Sequence, residues 1–350
     1  MKKLLPFCLL VFGIIFGSIN LAKAQDPSDD AVAYIDAINK AETNMNKAYM
    51  AYVSASAHSS RKRKIEKMRD HAVENIITCQ NEITDLSPYK GDNSLRQSSL
   101  NYVQLCYKVF NDDYAHIVNM EEIAEQSYDE MQAYLLLQEA TNDTLKIANE
   151  RMTKAVNSFA SKYNIKLISE KTELGDKMDI TGRLNKYRDK VYLLFFKCNW
   201  EDNQLIEAVN QKNVTKIEQD RSALDKYAKQ GLTVLDTLQS YENDHALREA
   251  CKQALAFYKD EAEKQTPILT DFFLKEENFN KFKTTMDAKA ADQRTQKDVD
   301  AYNKAVSDIN AAVNNFNQVN NQLNTGRNEV NNSWMGTEKA FLDTHTPYYK

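Results

Sequence analysis

The feature that most constrains the fold of this chain is a short helix corner that occurs twice. Leu86–Arg96 reads LSPYKGDNSLR, and Leu238–Arg248, which lies 152 positions further on, reads LQSYENDHALR. Without a gap, the same offset aligns the 32 residues of Ile65–Arg96 with a second segment in which eight are identical: Ile65, Glu66, Arg69, Leu86, Tyr89, Asp92, Leu95 and Arg96. Similarity at one fixed offset is the sequence signature of an internal repeat. We therefore expect an internal duplication.

Both copies carry apolar residues at every third or fourth position, which is typical of amphipathic helices. The first such stripe comprises Ala31, Tyr34, Ile38, Ala41, Met45, Ala48 and Tyr52. The chain has only eight glycines and five prolines in 350 residues, and this scarcity of turn residues favours long helices over sheets. We expect Pro267 to kink or end its helix. Asp92 and Asp244 should cap the helices that follow the two corners.

The helix pattern predicts an all-α protein in which each copy supplies four long helices. Four amphipathic stripes close around one core in a four-helix bundle, so we expect two such bundles in tandem. One elongated array of eight helices is the alternative that the same pattern allows. The predicted division is 25–164 for the first bundle, 165–177 for a linker and 178–350 for the second bundle.

Residues 1–24 have the organisation of a secretion signal that is removed from the mature protein. Lys2 and Lys3 precede the apolar stretch 4–19, and Ala22-Lys23-Ala24 forms a small-x-small cleavage site before Gln25. The apolar stretch is too short for a comfortable membrane span, and no second one follows. Because Cys8 lies inside this stretch and not at the cleavage point, we expect no lipid anchor. The mature protein should be exported to the periplasm or the cell surface.

The charge and the catalytic motifs exclude several classes of function. The chain is acidic, with a net charge of −5, and phosphate contacts dominate nucleic-acid binding, so we expect no nucleic-acid partner. Glycine-rich phosphate loops, nucleophile elbows and paired-histidine zinc motifs are missing from the sequence. Three helical pairs could contribute metal ligands: His71 with Glu74, Asp113 with His116, and Glu242 with His245. Only the last has the Glu-x-x-His spacing of a carboxylate-bridged metal site, and it falls at a corner, so we expect no metal, no cofactor and no enzymatic activity.

The mature chain keeps four cysteines, at positions 79, 106, 198 and 251. An even number in an exported protein is compatible with disulfides. Cys79 and Cys106 are predicted on antiparallel neighbouring helices at levels that differ by roughly one turn. The sequence leaves two states open for them: a disulfide, or free thiols that pack as small apolar side chains.

Arg61, Lys62, Arg63 and Lys64 form the one basic cluster of the chain. Such a cluster could bind an anionic polymer or a lipid head group, or it could be a solvated helix end. The corresponding residues of the second copy, Asn213–Lys216, contain one basic residue and form no basic cluster. A binding site here would therefore belong to the first copy only.

Four arginines recur at equivalent positions in the two copies. Arg69 and Arg221 each occupy a position in an otherwise mostly apolar stripe, so their stems should be buried and their heads should reach a carboxylate or solvent. Arg96 and Arg248 fall in the first turn of a helix, where the helix dipole disfavours positive charge. We expect each of these two to bind a carboxylate bidentately, or to lie solvated over Tyr89 and Tyr241. All four are interpreted as structural residues.

The secretion signal, the duplicated helical body and the segment KVYLLFFKCNWEDNQLIEAV (Lys190–Val209) together resemble a family of exported all-helical bacterial surface proteins of uncharacterised activity. The resemblance would span nearly the whole mature chain, and its markers are apolar helix patterns. It implies a location in the bacterial envelope and no particular activity.

Three hypotheses of function remain at this point. The first is a non-enzymatic envelope protein that binds or scaffolds an unknown protein or envelope component. The second is a carrier that holds an apolar ligand inside one bundle, for which Val191–Phe196 could line a pocket, although a buried helix face is the commoner meaning of such a run. The third is a metal-dependent enzyme. The sequence does not predict the oligomeric state.

Overall fold

A computed structural model describes residues 19–21, 29–59, 61–113, 127–169, 172–290 and 293–349, and these residues form an all-α fold, as predicted. The helices are α1 (Asp29–His58), α2 (Lys62–Asp85), α3 (Ser94–Tyr107), α4 (Tyr128–Lys162), α5 (Glu173–Asn210), α6 (Val214–Thr237), α7 (Ala246–Asp260), α8 (Thr266–Asp287) and α9 (Gln296–His345). Two π-helical segments follow α-helices directly: Lys108–Asp113 after α3, and Glu261–Gln265 between α7 and α8.

The strands in the described part of the chain are two segments of three residues each. β1 (Ile19–Leu21) pairs antiparallel with β2 (Leu167–Ser169), so that Asn20 lies opposite Ile168. β1 belongs to the predicted secretion signal, and the rest of that signal lies outside the described residues. The end of the predicted third helix beyond Asp113 also lies outside them, as does His116.

The described residues divide into two compact units. One unit contains the residues up to Asp189 together with those from Lys339 onward, and the other runs from Lys190 to Glu338. Both limits fall inside helices, α5 and α9. Because α5 begins at Glu173, the last five residues of the predicted linker are helical. The predicted limits of the two bundles remain a prediction.

The core of the first unit forms where the apolar stripes of its helices meet the first corner. Ile35 and Ile38 of α1 pack with Phe159 of α4 and with Leu95, all of them buried. The ring of Tyr89 lies against Phe159 at a centroid distance of 5.5 Å, so the corner is itself part of the core. Each fully buried side chain of this size contributes roughly 1.5–3 kcal/mol to stability.

The apolar run Val191–Phe196 is buried on most sides, as the pattern predicts. Val191, Tyr192, Phe195 and Phe196 are buried, and the two leucines between them are half-buried. Phe195 stacks on Trp334 with a centroid distance of 4.4 Å. This run therefore belongs to the core of the second unit. Of the two alternatives, a pocket lining and a buried helix face, the structure has the buried helix face.

The two corners have the same backbone conformation. Tyr89 forms a bridge with Asp92, and Tyr241 forms one with Asp244. Between each pair, two residues adopt positive φ angles: Lys90 (48°) and Gly91 (82°) in the first copy, and Glu242 (47°) and Asn243 (66°) in the second. Two successive positive φ values are characteristic of a type I′ turn, which favours Gly and Asn because other residues are strained there.

The aspartates of the corners do not occupy the helix N-caps, contrary to expectation. The N-cap residues are Asn93 and His245, and neither side chain makes a capping hydrogen bond. Asp92 Oδ1 instead accepts from Ser94 N at 2.9 Å, and Asp244 Oδ1 accepts from Ala246 N at 2.7 Å. The tight turn places each carboxylate one residue before the cap, where it still satisfies the first free N–H of its helix.

Pro267 lies in the first turn of α8, and the α-helix before it ends at Asp260. A proline is tolerated in a first turn because its missing N–H would be unpaired there. The first π-helical segment occurs at the equivalent position of the chain although no proline follows it. Pro267 therefore lies just inside α8, whereas α7 already ends at Asp260, before the π-helical segment.

Candidate functional site

An open groove of about 460 Å³ lies between α1 and α2 in the first unit. Its floor is formed by small or apolar side chains: Ala41, Ala48, Ala51, Met68 and Cys79. Its rim is polar: Asn44, Lys47, His71, Asn75, Thr78 and Glu82. Three of the five groove residues of α1 are alanines, which leave space that larger side chains would fill.

The residues that line the groove from α2 lie on one stripe of that helix. Met68, His71, Asn75, Thr78 and Glu82 follow one another at steps of three and four, so they share one face. The same stripe continues one turn beyond the groove to Lys64, and the N-cap residue Arg61 precedes the helix. The basic cluster therefore begins about one helical turn from the groove, a proximity that the sequence alone did not reveal.

The basic cluster is fully available to solvent. Arg61, Lys62, Arg63 and Lys64 are all exposed. Arg61 is the N-cap residue of α2, with no side-chain cap and no acidic residue in the first turn. Within the part of the chain that the structure describes, none of the four forms an ion pair. The positive end of the helix dipole adds to their charge, so this end of the groove favours an anion.

The C-terminal residues form part of the groove wall through Tyr349. Tyr349 N donates to Ser54 Oγ at 2.9 Å, and Lys177 Nζ donates to the carbonyl of Tyr348 at 2.9 Å. The ring of Tyr348 stacks on His58 at a centroid distance of 3.6 Å. His58 Nδ1 in turn lies 2.8 Å from Asp343 Oδ1. These contacts hold the tail against the end of α1.

A buried carboxyl group lies in the core of the same unit. Glu42 is 6% exposed, and Ser99 Oγ lies 2.5 Å from its Oε1. Burial raises the pKa of Glu42 to about 7, and the hydrogen bond to Ser99 only partly offsets this. Near neutral pH, this carboxyl group therefore exists in both protonation states.

Of the two states that the sequence left open for Cys79 and Cys106, the structure has both residues as buried free thiols. Burial raises the pKa of Cys106 to about 12, and it also raises the pKa of Cys79. Cys198 and Cys251 are also free and buried, and the pKa of each is raised by burial. Since the thiolate is the reactive form, all four are poor nucleophiles and pack as small apolar side chains.

Arg69 and Arg221, which lie 152 positions apart in α2 and α6, are both half-buried. Arg69 Nη1 lies 3.4 Å from Asp70 Oδ1. Arg221 is held more closely, with Nη2 at 2.8 Å from Glu218 Oε2 and Nη1 donating to the carbonyl of Ala262 at 3.4 Å. Both heads reach a carboxylate on their own helix and lie at the edge of the core.

Arg96 and Arg248 both donate to backbone carbonyls near the end of the preceding helix, and Arg248 also pairs with the carboxylate of Glu249. Arg96 Nε donates to Ile83 O at 3.1 Å, and its Nη2 donates to Thr84 O at 2.6 Å. Arg248 Nη1 donates to Leu238 O at 2.9 Å, and its carboxylate partner is the adjacent Glu249. The last carbonyls of a helix lack intrahelical partners and carry partial negative charge, so they attract the guanidinium. Each arginine thus stabilises the end of the preceding helix.

Sequence reasoning missed a buried ionic cluster in the second unit. Arg327 Nε donates to Asp202 Oδ1 at 2.9 Å, and Arg327 Nη2 pairs with Glu261 of the second π-helical segment. All three residues are buried. Burial raises the pKa of Asp202 and of Glu261, in each case against the opposing effect of Arg327. The available signal was a charged residue, Asp202, within the apolar stripe of α5.

The described residues show neither a metal site nor a membrane span. No group of three or more His, Cys, Asp or Glu side chains among them is placed to hold a metal ion. None of the described helices combines the length and apolar character needed to cross a membrane. Glu242 and His245, the pair with the metal-site spacing, lie at the second corner, where His245 Nδ1 is 3.1 Å from Arg248 Nη2.

Comparison with known proteins finds no matching family, no matching curated protein and no matching solved structure. The function therefore has to be argued from the geometry of the chain itself.

Proposed function

We propose that this chain is a non-enzymatic binding protein of the bacterial envelope, and that the groove between α1 and α2 is its binding site. The observation that carries the proposal is that the basic cluster begins one helical turn from the groove, with Lys64 and Met68 on the same face of α2. A floor of alanines and Met68 suits an apolar body, and Arg61 and Lys64 at one end suit an anionic group. The ligand class is an elongated amphiphile with an acidic head.

Two further observations support this assignment. The cluster is exposed at the N-terminus of α2. The first turn of this helix contains no acidic residue that would neutralise the positive charge of the cluster. The buried thiols, with their raised pKa values, are unsuited to nucleophilic catalysis. A secretion signal and the resemblance to exported helical surface proteins would place the protein where amphiphilic envelope components occur.

Calorimetric titration with dodecyl phosphate below its micelle concentration tests the proposal, with dodecyl glucoside as the neutral comparison. The double variant Arg61→Glu/Lys64→Glu should weaken binding of dodecyl phosphate at least tenfold, which corresponds to about 1.4 kcal/mol. Ala51→Trp should abolish binding of both compounds, because the indole ring fills the groove.

The matched control is Arg151→Glu/Lys154→Glu on α4, which reverses one arginine and one lysine at the same spacing on an exposed surface. It should bind as the unaltered protein does. Equal loss of binding in the control would mean that net charge and not the groove determines affinity. Failure of Ala51→Trp to reduce binding would remove the groove from the proposal.

A carrier that encloses an apolar ligand inside one bundle is the second candidate, and a metal-dependent enzyme is the weakest. Native mass spectrometry with metal analysis of the exported protein distinguishes the three. A carrier should retain bound lipid, an enzyme should contain stoichiometric metal, and the proposed open groove should release its ligand on dilution.

We further infer that the two halves are duplicated four-helix bundles. The limits of α6, Val214–Thr237, lie at the 152-residue offset from those of α2. The corner turns and the ends of the π-helical segments, Asp113 and Gln265, keep the same offset.

The packing of one equivalent position agrees with this inference. Gly231 occupies the position that corresponds to Cys79, and Leu255 occupies the one that corresponds to Val103. A Cβ atom added to Gly231 would lie 2.3 Å from Leu255 Cδ2, so the larger leucine takes the space that the smaller residue leaves. An experimental structure whose halves align at another offset, in an alignment made without sequence information, would reject the duplication.

A further inference from the structure

The exposed face of α9 in the second unit carries an unusual set of side chains. Residues Ile309–Gly326 include no charged residue, although 27% of the whole chain is charged. Asparagine replaces the charged residues that a solvent-facing helix ordinarily shows. Six exposed asparagines follow one another at alternating steps of four and three: Asn310, Asn314, Asn317, Asn321, Asn324 and Asn328.

This alternation places the six carboxamides along one line of the helix. Steps of four and three keep side chains on one face, because an α-helix has 3.6 residues per turn. With a rise of 1.5 Å per residue, the row from Asn310 to Asn328 is about 27 Å long. We call this row the asparagine stripe.

The opposite face of α9 is anchored in the core. Val319 and Leu323 are buried and pack in one cluster with Leu269 of α8, and Phe316 packs against it. The helix therefore holds the asparagine stripe in a fixed orientation toward solvent. None of the six carboxamides hydrogen-bonds to another residue in the described part of the chain.

The stripe is not explained by helix formation. Asparagine is one of the weaker helix formers, and its side chain competes with the backbone for hydrogen bonds. Six asparagines on one exposed line thus weaken the helix, and in return their carboxamides form no hydrogen bond within the described part of the chain. Each carboxamide offers two donors and one acceptor to whatever covers it.

We propose that the asparagine stripe binds a neutral glycan chain. The stripe contains no positive charge that would select a phosphate and no negative charge that would select a cation. Its repeat of about 5 Å, which follows from 3.5 residues at 1.5 Å each, is close to the length of one sugar unit in an extended glycan. Hydroxyl groups both donate and accept, so they match a row of carboxamides.

A second copy of the chain fits the stripe less well. Stable dimer interfaces have an apolar core, whereas the stripe presents carboxamides only. If two stripes faced each other, carboxamide–carboxamide hydrogen bonds would replace carboxamide–water hydrogen bonds. The net gain in binding free energy would be small.

The test measures binding of the full-length exported protein to three neutral glycans: insoluble chitin, insoluble cellulose and soluble dextran. The variant Asn314→Ala/Asn317→Ala/Asn321→Ala should bind at least tenfold more weakly to the glycan that the unaltered protein retains. Since alanine favours the helix more than asparagine does, circular dichroism should show that the variant remains folded.

The matched control replaces three exposed asparagines elsewhere, in Asn81→Ala/Asn210→Ala/Asn280→Ala, and should bind as the unaltered protein does. Ala51→Trp in the groove should also leave glycan binding unchanged, which separates this inference from the proposed function. Lack of binding to all three glycans, or equal binding by the stripe variant and the control, would overturn the inference. A stripe variant that loses only self-association in sedimentation would assign the surface to a second copy instead.

Discussion

At the scale of single residues, Glu42 makes stability dependent on pH. Its pKa is raised to about 7 by burial, whereas a carboxyl group in the unfolded chain titrates near its ordinary value of 4.5. Between these values the folded state holds a proton that the unfolded state has lost. The free energy of unfolding therefore decreases as pH rises through this interval and is constant again above it.

Glu42→Gln should remove this pH dependence, because glutamine keeps the size and a hydrogen bond to Ser99 but does not ionise. We expect the variant to match the unaltered protein near pH 4 and to exceed it by about 3 kcal/mol at pH 8.5. Denaturant unfolding at the two pH values measures the difference. The control is Glu74→Gln, which removes an exposed carboxyl group of α2 and should change neither value by more than about 0.5 kcal/mol.

Individual residues also show where sequence reasoning reached its limit. The repeat identified Arg96 and Arg248 as structural, but it did not identify the helix-end carbonyls that bind them. Their partners lie 10 to 13 positions away and come together only when the corner turns. The groove could not be predicted for a similar reason, because an alanine face looks the same in sequence whether it is packed or open.

At the scale of helices and turns, the sequence pattern predicted the segments well and their boundaries less well. Apolar spacing predicted the helices, and the repeated segment predicted the two corners, of which only the first contains a proline and a glycine. The π-helical segments were not predicted. One extra residue in a helical turn does not visibly change the spacing of apolar residues at every third or fourth position. One of them contains Glu261, which pairs with Arg327 in the buried ionic cluster.

Thr266 stabilises the junction between the second π-helical segment and α8. Its Oγ1 donates to the carbonyl of Glu261 at 3.0 Å in a fully buried position. Thr266→Val keeps the shape of the side chain and leaves that carbonyl without this donor, so we expect a loss of about 1–2 kcal/mol in the free energy of unfolding. Thermal or denaturant unfolding measures it.

Thr284→Val on the exposed side of α8 removes a hydrogen bond of the same type, from Oγ1 to Asn280 O at 2.9 Å. Water can replace that bond, so the expected change is within about 0.5 kcal/mol. If both variants lost the same free energy of unfolding, burial would not determine how much the Thr266 hydrogen bond contributes to stability.

At the scale of the whole molecule, we predict processing between Ala24 and Gln25. The intact mass of the exported protein should correspond to a chain that begins at Gln25, since this bond follows the small-x-small site after the apolar stretch. A protein that retains Met1, or one that carries an acyl group, would contradict the prediction.

Such processing would have a consequence for β2, because its partner β1 lies within the segment that is removed. The precursor and the mature protein would then differ in the hydrogen bonding of Leu167–Ser169. Backbone amides that β1 protects should exchange with deuterium faster once β1 has been cut away. The exposed edge would also be able to accept a strand from another chain. Removal of the signal would thus convert a closed two-stranded pair into an open edge, and exchange at these three residues would report the maturation of the protein.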